Sequence, residues 1–182
     1  AVIGPAVDAG ARRKDRATAR DVDERATQEG FDPAQHFADA VVAALEARGR
    51  SVRYVPIPRR IHGGSHELDR DEVPEGLPPG RLLDASIPTL MLYKAARGFG
   101  VDGRFTFRVL STEGRLLEPT RAYTFARPPK CPKGALYICE DPPQECVFDD
   151  SEAIEAAAPR IWACFDAAFR SVAARIAADA VP

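Results

Sequence analysis

Methionine, tryptophan and histidine are scarce in this chain: one Met, one Trp and three His among 182 residues. Long apolar runs are missing too. No segment reaches the ~18 uninterrupted apolar residues of a membrane-spanning helix, so none is expected to cross a bilayer in that form. Cys-x-x-Cys pairs are absent, and with them the short spacing on which structural zinc sites are usually built. There is no Gly-x-Ser-x-Gly elbow. His36 belongs to the first turn of an expected helix, so a Ser or Cys triad would have to draw on His62 or His66 in a loop. These absences leave no catalytic centre and no cofactor site, and the chain is expected not to be an enzyme.

What is present is ordinary for a globular protein: 45% hydrophobic and 29% charged residues, with a net charge of −2. The length suits one domain with its own core, residues 1–182. Sixteen prolines go with long ordered loops, expected over residues 8–30 and 58–80.

The clearest element is a helix over residues 31–49. Asp32 is placed as N-cap, Pro33 at N1 and Gln35 at N3 to complete a capping box. Phe37, Val41, Ala44 and Leu45 follow at helical spacing, and Gly49 ends the helix. Residues 1–7 and 51–57 read as strands on either side of it, which predicts a right-handed crossover and one parallel pair. Residues 82–93 read as a strand interrupted by Pro88. Phe105, Phe107 and Val109 alternate with Thr106, Arg108 and Leu110, and a turn at residues 111–114 predicts an antiparallel hairpin with residues 116–125. The last element is a helix over residues 150–180, with Ile161, Phe165, Ala168, Val172 and Ile176 on one stripe and Pro159 kinking it or marking its true start. The expected fold is therefore α/β (α+β): a two-layer sandwich, one mixed sheet of about five strands with two helices on one face.

The four cysteines are Cys131, Cys139, Cys146 and Cys164. An even count, with three of them in a Pro-rich stretch, reads as disulfides rather than as the reduced thiols of a cytosolic protein. Residues 137–139 and 146–148 can pair as a short hairpin, which sets Cys139 opposite Cys146 within disulfide range and makes that the preferred bond. If the helix runs unbroken from Asp150, Cys164 lies about 21 Å along it, beyond the ~13 Å that the residues back to Cys146 can reach. Cys164 would then bond Cys131 or remain a free buried thiol.

Three motifs invite chemistry. Gly98-Phe99-Gly100-Val101-Asp102-Gly103 matches G-x-G-x-x-G, but a strand follows where a nucleotide loop needs a helix, so the glycines are read as a turn between strands. Residues 94–133 hold nine Lys/Arg against three Asp/Glu, interleaved with Phe99, Phe105, Phe107, Tyr123 and Phe125. Such a basic aromatic region could serve a nucleic-acid-binding module. The plainer reading puts the aromatics in the core and the arginines on the far face, so no nucleic acid is expected as a partner. His62-Gly63-Gly64-Ser65-His66 could seed a metal site or an enzyme with Glu67, Asp69 or Asp71. Two glycines argue against a helix there, and a solvated loop without metal is expected.

The helix ending in Ala47-Arg48-Gly49, the extended segment near residues 86–93 and the run Val109-Leu110-Ser111-Thr112-Glu113-Gly114-Arg115-Leu116 resemble small bacterial envelope lipoproteins and transport-accessory proteins. Their folds are related to the N-terminal domain of TolB or to the curli secretion lipoprotein. The resemblance covers residues 30–126. It implies a non-enzymatic extracytoplasmic accessory protein, periplasmic or outer-membrane-associated, that binds another protein through a sheet face or an edge strand. It also implies membrane association through a lipid anchor absent from this chain, whose first cysteine is Cys131.

Overall fold

A computed structural model describes residues 25–26, 28–55, 73, 75–95, 98–125, 137–138, 144–148 and 158–180. Its first helix, α1, spans Pro33–Glu46. The Asp32 carboxylate accepts from the backbone N–H groups of Ala34 at 2.9 Å and Gln35 at 3.3 Å, satisfying two of the donors that every helix start leaves open. The capping box is not closed: the Gln35 amide donates to Asp39 at 2.8 Å instead. At the other end Gly49 adopts φ 74°, and Arg50 N–H donates back to the Leu45 carbonyl. Only a residue without Cβ enters that left-handed turn cheaply.

Four strands follow: β1 (Arg81–Ala95), β2 (Gly98–Ser111), β3 (Arg121–Phe125) and the two-residue β4 (Tyr137–Ile138). They lie in the order β1-β2-β3-β4. The first three are antiparallel, and β4 runs parallel to β3. The sheet is thus mixed, with four described strands rather than five. In β1 the register shifts between Ser86 and Thr89, so that Ile87 and Pro88 together oppose Phe105. This bulge is what lets a proline sit inside a strand.

The second helix, α2, spans Ala158–Ala180. Pro159 is the second residue of the helix as described. Ile161, Phe165, Ala168, Val172 and Ile176 are all fully buried, as their common stripe requires. Phe37 of α1 and Phe169 of α2 both meet Phe105 of β2, with ring centroids 5.0 and 6.1 Å apart. Both helices therefore cover the sheet face that carries Phe105, Phe107, Val109, Tyr123 and Phe125, and the core lies between.

Several expectations fail. Residues 51–55 form no strand: Val52 packs against the core while Tyr54, which would share its face in a strand, is exposed, so the expected alternation is not realised. The parallel pair belongs to β3 and β4, not to a crossover through residues 1–7, which lie outside the described residues. The glycines 98, 100 and 103 are inside β2, paired with Ala95, Tyr93 and Leu90, and are not a turn. The turn at residues 111–114 does form, closed by an antiparallel bridge between Leu110 and Leu116, but the regular ladder with β3 begins only at Arg121.

The cysteine pairing is corrected as well. Cys146 bonds Cys164, with Cα atoms 5.6 Å apart, which excludes both Cys139–Cys146 and Cys131–Cys164. Gln144–Cys146 is a turn of 3-10 helix rather than a strand. The reach argument assumed an unbroken helix from Asp150; the helix is described from Ala158, and residues 149–157 lie outside the described residues.

Candidate functional site

The register that puts Phe105 and Phe107 beneath the helices puts Thr106 and Arg108 on the opposite face. There Asp84 of β1 is the direct cross-strand partner of Arg108, and Ser86 of Thr106. The Arg108 guanidinium donates through Nε at 3.0 Å and Nη2 at 2.6 Å to one oxygen of Asp84. The two side chains are 12% and 2% exposed. The Ser86 and Thr106 hydroxyls are 2.6 Å apart. An ion pair this buried spends most of its attraction on desolvation, and its main effect is to fix which residue of β1 faces which of β2. Arg104, next along β2 on the same face, is exposed.

A second polar group closes the C-terminal end of α2. Tyr123 donates its hydroxyl to Asp179 Oδ2 at 3.0 Å, and Arg175 donates to the same oxygen at 3.3 Å. Arg121 donates to the Asp179 backbone carbonyl at 2.9 Å. A carboxylate at a helix C-terminus opposes the helix dipole, and the Arg121 cation on the terminal carbonyl offsets it. Burial, and after it the hydrogen bond to Asp179, push the Tyr123 phenol up to about 12. Glu118 continues the network, accepting from both Arg121 and Arg81 at 3.4 Å.

The third group ties α1 to α2. His36 Nδ1 lies 2.9 Å from Asp166 Oδ1. Phe31 packs between the His36 ring at 4.4 Å and the Trp162 indole at 4.7 Å, and Trp162 Nε1 donates to Glu29 at 2.6 Å. The His36–Asp166 contact ties α1 to α2. Among the described residues no three His, Cys, Asp or Glu converge as metal ligands.

Of the residues singled out from sequence, His62, His66, Cys131 and Cys139 lie outside the described residues. Phe105, Phe107, Tyr123 and Phe125 are buried on the helix side. Bases could stack on them only if the helices left, so the aromatic half of a nucleic-acid surface is spent on the core. The Asp84–Arg108 pair escaped the sequence reading, because each strand carries several charges and only the register shows which two meet.

No described helix is long and apolar enough to cross a membrane. The chain matches no family model, no curated protein and no solved structure among those compared.

Proposed function

We propose that this chain is a non-enzymatic extracytoplasmic accessory protein of the bacterial envelope, periplasmic or outer-membrane-associated, that works by binding another protein. The observation that supports this reading is the disulfide between Cys146 and Cys164, whose cysteines are 4% and 3% exposed within the core. Disulfides persist in oxidising compartments and are rare in the cytosol. The likeness of residues 30–126 to envelope lipoproteins points the same way. On the sheet face turned from the helices, the end around exposed Arg104 and half-buried Thr106 and Thr124, away from the buried Asp84–Arg108 pair, is the surface offered to the partner.

Fractionation of the source cells, with thiols blocked at lysis, tests the location. The protein is expected in the envelope fraction with Cys146 and Cys164 unlabelled; a cytosolic protein labelled at both would overturn the reading. A photo-crosslinking residue at position 104 or 124 is expected to capture one protein in living cells. Capture by neither position removes this face as the binding surface.

A further inference from the structure

The two helices run side by side in the same direction. Phe31, just before α1, stacks on Trp162 of α2, His36 meets Asp166, and Phe37 meets Phe169, so the contacts climb both helices together. Their outer surfaces carry opposite charge. The exposed charged residues of α1 and its cap are Asp32, Asp39 and Glu46, and the helix holds no Lys or Arg. A spacing of seven keeps these acids on one stripe. On α2 the exposed charged residues are Arg160, Arg170 and Arg175. Carried along the ladder of contacts, Asp32 is level with Arg160, Asp39 with Arg170 and Glu46 with Arg175, each to within about one helical turn. Among the described residues, Asp39, Glu46 and Arg170 join no ion pair.

We infer that this outer helix face docks a second copy of the chain. A two-fold dimer uses the same patch on both copies, and two helix pairs can face each other in two ways. An axis across the helices sets α1 on the partner's α1, acid against acid and arginine against arginine, which like-charge repulsion disfavours. An axis along the helices keeps every residue at its level and sets α1 on the partner's α2. Asp32, Asp39 and Glu46 then face the partner's Arg160, the partner's Arg170 and the partner's Arg175, and the same three contacts repeat on the other side of the axis. Between the charges, exposed Ala163 and Ala174 leave room for the helices to approach. With α1 of 14 residues, the shared face is about 21 Å long and about two helix diameters wide, roughly 400–500 Å² per copy. That is the size of a weak, reversible dimer. The inference is independent of the partner-binding reading, whose surface lies on the other side of the sheet.

Sedimentation of the full chain over a concentration series is expected to show a monomer–dimer equilibrium that moves toward monomer when salt rises from about 0.1 M to about 1 M. Asp39→Arg and Arg170→Asp each set like charges opposite one another at both contacts. Each is expected to weaken dimerisation at least about tenfold, with the circular dichroism of the native fold retained. Mixed in equal amounts, the two variants are expected to form a heterodimer, because the exchanged charges match again at both contacts. The salt series on the native chain stands whether or not the variants fold. A native chain that stays monomeric at millimolar concentration overturns the proposal. So does a dimer that salt does not weaken, or a mixture of folded variants that dimerises no better than its components.

Discussion

Tyr123 and Asp179 join the third strand to the last turn of the second helix through a phenol–carboxylate hydrogen bond of 3.0 Å. Burial and this bond raise the phenol from 10 to about 12, so the folded chain holds that proton more tightly than the unfolded one. The stability linked to Tyr123 is complete below pH 10 and is lost as the pH rises through 12. The urea midpoint of the native protein is expected to fall over that window more steeply than that of Tyr123→Phe. Equal slopes for the two proteins would contradict this.

The Asp84–Arg108 pair predicts a non-additive result. Asp84→Ala takes away the carboxylate that holds a nearly buried guanidinium and is expected to cost about 3–5 kcal/mol. Asp84→Leu combined with Arg108→Met removes both charges and is expected to cost less than Asp84→Ala alone. Denaturant midpoints of the variants check this; a double variant weaker than the single would show that the pair contributes net stability.

Phe105 is in ring contact with both Phe37 and Phe169. Phe105→Ala opens a cavity where three elements meet and is expected to cost about 3–5 kcal/mol. Arg104→Ala, one residue away on the exposed face, should stay within about 0.5 kcal/mol. Similar losses at the two positions would place the core on the wrong side of the sheet.

Removing the bond with Cys146→Ser and Cys164→Ser opens a loop of sequence separation 18. In the chain-entropy model the loss is about 3 kcal/mol, read as a lower urea midpoint with a steeper slope, because the unlinked denatured chain exposes more surface. No shift would mean that the disulfide restrains nothing the rest of the core does not already hold.

What the sequence made legible was local and chemical. Asp32-Pro33 and Gly49 announce the ends of α1 because caps and left-handed turns are decided by one residue each. The stripes Phe37/Val41/Leu45 and Ile161/Phe165/Val172 read correctly because burial follows the helical period. Residues 51–55 misled because a short run of apolar residues at every second position shows a strand's period without showing a partner strand, and here Val52 and Tyr54 do not share a face. The cysteines misled for a different reason: residues 146–148 read as a strand, whereas Cys146 ends a turn of 3-10 helix and bonds Cys164. The polar clusters were hidden because His36 and Asp166, or Tyr123 and Asp179, are 130 and 56 positions apart, and nothing local announces that they meet.

The two ends of α2 are fastened by unlike means. Near its start Cys164 is bound covalently to Cys146, while at its end Asp179 is held by hydrogen bonds from Tyr123 and Arg121. Hydrogen bonds can open one at a time, but a covalent link does not fray. The amides of the final turn are therefore expected to exchange with solvent through small local openings, and those around Cys164 only through larger ones. Hydrogen exchange along this one helix is expected to slow from its C-terminus toward the disulfide.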